Sequence, residues 1–250
     1  MLKAQTIEKL KDLKLKVMAE MFSSPEQGLT ELSFEDRFSL MVEKQWMARK
    51  NAKIKRLLAA ARLGIPGACL EDIYYTDERI LDKKLIASLS TCAYIEKKLN
   101  VVLTGKTGTG KSFITSALGN AAARNCYKVA YYRTPELLLL MQEAKETGRY
   151  LKFMEALKNI KLLILDDVGL KTYSIEESRD ILEIAEARYN RASTILSAQF
   201  PHDKWYDLFA DPTLADAVMD RIIHNAYIMA LDSKRSMREI TAQNVKENLE

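Results

Sequence analysis

The sequence predicts an α/β fold in which a parallel sheet of five strands follows a small helical N-terminal domain. Three observations predict it. From about Leu85 onward, helix-like segments alternate with short, continuously apolar runs, the pattern of a parallel sheet covered on both faces. Ahead of that region, apolar residues recur every three or four positions with no strand-like run. Between the first apolar run and the helix that follows it stands the glycine-rich stretch "GKTGTGKS", Gly105 to Ser112.

Taken in chain order, Leu10, Leu13, Val17 and Met21 keep a helical spacing, which "SSPEQG" breaks. A long helix is predicted over "LSFEDRFSLMVEKQWMARKNAKIKRLLAAARL", where Phe34, Phe38, Met41, Met47, Ile54, Leu57 and Ala61 recur at three- or four-residue intervals. Ser33 followed by Asp36 supplies its cap. Gly64, Pro66 and Gly67 in "GIPGACLED" stop that helix and predict a linker, dividing residues 1–66 from residues 67–250. Strands are predicted at "NVVLT" (100–104), "KVAYYR" (128–133), "KLLILD" (161–166), "TILSAQ" (194–199) and "AYIMAL" (226–231), with helices between them.

Composition narrows the class of function. A formal charge of +4 over 250 residues is mild, so affinity for nucleic acid has to come from local clusters. Cys69, Cys92 and Cys126 are odd in number, widely spaced and in no zinc-like pattern, which argues against a disulfide framework and for a reducing, cytoplasmic setting. The N-terminus interleaves Lys and Glu among its apolar residues, and no apolar run approaches membrane-spanning length.

The stretch Gly105 to Ser112 fits the Walker A pattern GxxxxGK[ST] between a strand and a helix. Gly105, Lys106, Thr107, Gly108, Thr109 and Gly110 let backbone amides turn inward around a phosphate. Lys111 reaches the β- and γ-phosphates, and the Ser112 hydroxyl can coordinate Mg²⁺ at the positive end of a helix. "LLILDDVG" is an apolar strand ending in two acids. Asp166 suits the Mg²⁺ shell and Asp167 suits polarisation of the attacking water, the alternative being a solvated Asp-Asp turn. Gln199, ending "TILSAQF", suits a group that senses the γ-phosphate or the lytic water, or else simply caps a strand. Arg221, in an amphipathic helix before the last strand, can reach the nucleotide of a neighbouring subunit, or else forms a surface ion pair with Asp220 or Asp216. No NKxD motif and no LSGGQ-type signature is present, so a GTPase or a transporter ATPase is poorly supported. His202 and His224 read as polar residues near helix ends.

"NVVLTGKTGTGKS", "KLLILDDVGL", "STILSAQFPHDKWYDLF" and "PTLADAVMDRIIHNAYIMAL" resemble the IstB family, AAA+ helper ATPases encoded beside the transposase of certain bacterial insertion elements, and more remotely the DnaC helicase loaders. The resemblance covers nearly the whole chain. It implies an AAA+ domain with strand order 5-1-4-3-2, sensor 1 at Gln199, an arginine finger at Arg221, and an added helix among those between Arg133 and Lys161. About 19 residues follow the last strand, too few for a helical lid. Arg238, in "SKRSMRE", resembles the sensor-2 arginine, with Arg235 close enough to compete. Many AAA+ proteins carry Glu where Asp167 stands, so slow turnover is expected.

The segment Lys44 to Leu58 holds six Lys or Arg and no acid: Lys44, Arg49, Lys50, Lys53, Lys55 and Arg56. On a helix, Lys50 or Arg49 with Lys53 and Arg56 share a face opposite Ile54, Leu57 and Ala61, offering cations to phosphates or to solvent alone. IstB-like proteins assemble on duplex DNA and bend it, which implies the first use; Trp46, set among these charges, is read as a packing residue. The expectation is an ATPase using ATP and Mg²⁺, slow and DNA-stimulated, that oligomerises with ATP sites between subunits. Its residues 1–66 would grip duplex DNA and deliver it to a cognate transposase. The alternatives are a replicative helicase loader, or a nucleotide-gated clamp whose turnover is incidental.

Overall fold

The computed structural model describes residues 2–24, 32–76 and 79–240. The chain divides into two compact units, residues 1–56 and residues 57–250. The division falls inside a helix and ahead of the linker expected at Gly64 to Asp72.

The first unit contains α1 (Leu2–Asp12), α2 (Lys16–Ser23) and most of α3 (Phe34–Ala61). The helical spacing from Leu10 to Met21 is not one helix. Lys14 adopts φ 58, and Leu15 N–H donates to Leu10 O at 2.8 Å, so the chain reverses by a Schellman-type turn. No Gly or Asn announces that turn in the sequence. Side chains one turn apart on α3 hold the corner: Gln45, buried, accepts from Val17 N–H at 3.1 Å and Met18 N–H at 3.4 Å, while Arg49 donates to Leu13 O at 3.4 Å and Lys14 O at 3.3 Å. The cap of α3 is as expected, with Asp36 N–H donating to Ser33 Oγ at 3.1 Å.

The second unit opens with the last turn of α3, followed by β1 (Arg79–Ile80), α4 (Lys83–Ser90), α5 (Ala93–Glu96), β2 (Asn100–Thr104), α6 (Lys111–Arg124) and β3 (Val129–Arg133). Then come α7 (Thr134–Glu146), α8 (Tyr150–Lys158), β4 (Leu162–Val168), α9 (Ile175–Arg188), β5 (Ser193–Ala198), α10 (Pro212–Ile223), β6 (Ala226–Ala230) and β7 (Asp232–Ser233). Single 3₁₀ segments lie at Leu70–Asp72 and His202–Leu208. Strands β3, β4, β5, β2 and β6 pair in that order, all parallel, which is the 5-1-4-3-2 arrangement counted from the opposite edge. Strand β1 pairs antiparallel with β7 outside this sheet.

The strands read as continuous apolar runs because both faces are covered. Val102, Leu163, Leu165 and Leu196 join the helices α7 to α10 on one face. Val101, Leu103, Ile164 and Ile195 join α4, α5, α6 and the residues Ala61 and Leu63 on the other. Leu57, Leu58, Ala61 and Leu63 therefore belong to this core, and the expected linker does not run free. Ala68 is buried, and Ile65 N–H donates to Ser116 Oγ on α6 at 3.2 Å. Of the residues that follow the last strand of the sheet, the described ones end in a helical stretch at 237–240; residues 241–250, on which the question of a helical lid also depends, lie outside the described residues. No described helix is long and apolar enough to cross a membrane.

Candidate nucleotide-binding site

Strand β2 lies between β5 and β6, and the chain leaving its C-terminal end forms the loop Gly105 to Gly110 before α6 begins at Lys111. Parallel α/β sheets bind ligands at this end of the strands, where the strand order reverses. Gly110 has φ 88, and a Cβ there would meet Arg79 Nη2 at 2.6 Å; Gly105 has φ 153, and a Cβ would meet Leu231 O at 2.3 Å. Only glycine satisfies both the backbone and its surroundings at these two positions. Lys111 is buried, and its Nζ donates to Gly105 O at 2.6 Å and Lys106 O at 2.9 Å. Burial pulls its pKa below the usual lysine range, and the Asp166 and Asp167 carboxylates oppose that shift.

The acids sit where β4 breaks register with β5 between Leu165 and Val168, and Asp167 takes φ 58 at the break. Such a bulge re-aims side chains. Asp166 points inward and is 2% exposed. Its Oδ2 accepts from Tyr131 Oη at 2.7 Å and its Oδ1 from Asp167 N–H at 3.0 Å. Asp167 turns outward and accepts from Arg133 through both Nε and Nη2, each at 2.9 Å.

A cavity of about 680 Å³ opens over this end of the sheet. That volume suits a nucleotide-sized ligand. Thr107, Gly108, Gly110, Lys111 and Ser112 line it on the loop side, and Asp167, Gln199 and Arg238 on others. Gly105, Lys106, Thr109 and Asp166 do not line it. Thr109 Oγ1 donates to Lys106 O at 2.9 Å and braces the loop. Of the two competing arginines Arg238 reaches the cavity wall, while Arg235 does not line it. The segment carrying Arg238 is tied to the loop, with Met237 N–H donating to Gly108 O at 2.8 Å.

Arg221 does not line this cavity. On α10 its Nη2 pairs with Glu186 of α9 at 2.5 Å and its Nη1 donates to Ala217 O at 2.8 Å. The expected ion-pair partners Asp216 and Asp220 are not used; Asp220 instead pairs with His224 at the end of α10, at 2.9 Å. An α9 residue far upstream outcompetes those neighbours because α9 and α10 pack side by side.

On α3, Lys50, Lys53, Lys55 and Arg56 are exposed, and Lys44 is half-buried. At about 100° per residue, Lys50, Lys53 and Arg56 share a face with Arg49, whereas Lys44 and Lys55 lie on another flank. Trp46 is not a packing residue: it is 52% exposed, with Lys50 Nζ 4.8 Å from its ring centroid. Phe34, Phe38 and Val42, one helical turn apart in succession, are also exposed on α3.

Some contributors were invisible to motif reading. Arg79, buried at 8% exposure, lines the cavity and donates to Tyr74 O and Thr109 O, each at 2.8 Å, bracing the loop from outside. Tyr131 and Arg133, on the neighbouring strand β3, hold the two acids. Their only sequence signal is alternation along β3, which places both on one side of the strand.

No three His, Cys, Asp or Glu side chains among the described residues converge into a metal cage. Mg²⁺ takes one or two carboxylates and completes its shell with water and substrate phosphates. Asp166 and the Ser112 hydroxyl are the hard oxygen donors that such an ion needs.

The family model described as IstB-like ATP binding protein matches residues 8–244. The insertion sequence ATP-binding protein y4pL of Sinorhizobium fredii is 37% identical over 240 residues, covering 95% of this chain and 98% of its own length. The insertion sequence IS1162 ATP-binding protein of Pseudomonas fluorescens is 35% identical over 205 residues, covering 80% of this chain and 88% of its own. Among solved structures, DnaI superposes with a TM-score of 0.58 at 18% identity, over 71% of this chain and 94% of its own. AMPPCP-bound DnaA from Aquifex aeolicus superposes with a TM-score of 0.57 at 21% identity, over 73% of this chain and 56% of its own. These two likenesses bear on the fold alone, an AAA+ P-loop domain. The chain belongs to the IstB-like ATP binding protein family.

Proposed function

We propose that this protein is a transposition helper ATPase that oligomerises on duplex DNA with ATP bound between subunits, remodels or bends that DNA, and presents it to a cognate transposase. The observation that carries this reading is the separation of Arg221 from a cavity otherwise equipped for nucleotide: Lys111, Ser112, Asp167, Gln199 and Arg238 line one space, and Arg221 does not. On α10 Arg221 is held by Glu186 and is 26% exposed; in this reading it leaves that pair to serve a neighbouring subunit's site. The relatives named as insertion sequence ATP-binding proteins support the transposition setting.

In this reading Gly105 to Gly110 wrap the phosphates with backbone amides, and Lys111 exchanges its carbonyl partners for β- and γ-phosphate oxygens. Asp166 and Ser112 would hold Mg²⁺, which would supply charge neutralisation at the phosphates. Asp167 orients and polarises the attacking water, Gln199 senses the γ-phosphate, and Arg238 reaches the phosphates from the C-terminal segment. Lys50, Lys53, Lys55 and Arg56, with Lys44 and Arg49 nearby, grip the DNA backbone without reading sequence. An arginine finger acting between subunits makes assembly and hydrolysis one event, so turnover dissolves the complex after handover.

A clamp with incidental turnover has one observation in its favour, the hold of Arg133 Nε and Nη2 on Oδ2 of Asp167. The pair is too exposed to be strong: side chains 51% and 28% exposed place it among ion pairs worth about 0–1 kcal/mol. Such a pair slows the reaction without preventing it.

Arg221→Ala tests the proposal. Nucleotide affinity of the isolated subunit is expected to stay within about twofold, while DNA-stimulated hydrolysis falls by about 10³. Full stimulated turnover in that variant excludes the role.

A further inference from the structure

Tyr131 occupies a position that the nucleotide chemistry does not explain. It stands on β3, next to β4, and its hydroxyl donates to Oδ2 of Asp166 at 2.7 Å. The other oxygen, Oδ1, takes the Asp167 N–H at 3.0 Å. Each carboxylate oxygen therefore has one fixed donor and keeps a free lone pair. The two donors arrive from different strands and fix the plane of the carboxylate; without Tyr131 only a bond from the next residue would remain.

What sets Tyr131 in place is equally specific. A Cβ at Gly64 would lie 2.5 Å from Tyr131 Oη and 2.6 Å from its Cζ, so the ring tip rests against bare backbone. The glycine is itself anchored on both sides. Ile65 N–H donates to Ser116 Oγ at 3.2 Å, and a Cβ at Gly119 would lie 2.7 Å from Leu63 Cδ2. Ser116 and Gly119 both belong to α6, the helix that begins at Lys111. The turn following α3 is thus seated on the phosphate-loop helix and in turn seats the tyrosine.

We propose that Tyr131 is a positioning residue for the Mg²⁺-binding carboxylate of Asp166, and that Gly64 is the seat that aims the Tyr131 hydroxyl at it. The proposal rests on the reading that Asp166 serves the Mg²⁺ shell. Partners of this kind around a metal ligand typically change metal affinity by about 10–100-fold when removed. The role differs from a purely structural one because it predicts a loss confined to what Mg²⁺ contributes, with nucleotide binding in the absence of Mg²⁺ preserved.

The experiment measures the affinity of a fluorescent ATP analogue in Mg²⁺ and in EDTA for the full chain and for Tyr131→Phe, Gly64→Ala, the double variant and Asp166→Asn, with kcat and KM alongside. Tyr131→Phe is expected to bind in EDTA within about twofold of the parent, which also reports that it is folded. The gain in affinity on adding Mg²⁺ should fall about tenfold, and kcat should fall with it. Gly64→Ala should reproduce most of that loss by displacing the ring. In the double variant it should add little, because the methyl costs Mg²⁺ affinity only where a hydroxyl is there to be misdirected. An unchanged Mg²⁺ gain in Tyr131→Phe, with Asp166→Asn abolishing it, overturns the role of Tyr131 alone. An unchanged gain in Asp166→Asn overturns the parent reading and the role of Tyr131 with it.

Discussion

The phosphate loop and the basic face of α3 are both suited to phosphate, and they are built on opposite principles. Around the loop the central groups are held. Glycines at positive φ pack against Leu231 and Arg79, Lys111 is bonded to two carbonyls, and Asp166 has a donor on each oxygen. On α3 Lys50, Lys53, Lys55 and Arg56 are exposed, and Lys53, Lys55 and Arg56 have no bonded partner among the described residues. A site that must discriminate a nucleotide and orient a reaction invests in fixed geometry, whereas a surface that follows a uniform polyanion needs only charge at a suitable spacing. Substitutions should accordingly act as single large losses in the first region and as graded, salt-dependent ones in the second.

The greatest loss is expected at Lys111. Lys111→Ala should lower ATP turnover at least about 100-fold, measured by phosphate release, since no other lysine among the described residues lines the cavity. Retained turnover would break the contrast at its stronger end. Neutralising Lys50, Lys53 and Arg56 together should make the slope of log affinity for duplex against log salt shallower by about 2.7, roughly 0.9 for each phosphate no longer neutralised. A change in affinity with no change in slope would mean that these residues act through folding and not through phosphate.

Between these extremes lies Arg133. Because its pair with Asp167 is half exposed, Arg133→Ala should raise DNA-independent turnover by no more than about fivefold. The least change belongs to a feature outside both regions, the capping box of α9. There Glu177 N–H donates to Ser174 Oγ at 3.1 Å and Ser174 N–H donates to Glu177 Oε2 at 2.9 Å. Ser174→Ala should cost about 1 kcal/mol in thermal unfolding and leave nucleotide affinity unchanged.

The same contrast governs what could be read from sequence. Strand β2 coincides with the predicted residues 100–104, and β3 to β6 fall within a residue or two of theirs, because buried parallel strands are written as unbroken apolar runs. Gly105 to Ser112 were legible because the loop's chemistry is local. Tyr131, Arg133 and Arg79 were not, because each acts on a residue at least 30 positions away and is of a type that sits equally well on any surface. Arg221 illustrates the limit from the other side. Its location was legible, but its partner Glu186 depends on how α9 meets α10 and not on the sequence around it. On α3 the basic run was plain, yet Gln45 and Arg49, spent on holding the α1–α2 corner, look no different in sequence from Lys53 and Arg56.

If the phosphate loop and the basic face of α3 work together as proposed, nucleotide in one permits assembly on DNA through the other. The decisive quantity is the mass of the complex by sedimentation or light scattering, with ATP and Mg²⁺, in the presence of a duplex about 50 base pairs long or a single strand of equal length. Large complexes are expected that require ATP and duplex together and that fail to form with either alone. Assembly on single strand but not duplex, or no dependence on DNA at all, would refute that coupling and return the basic face of α3 to solvent.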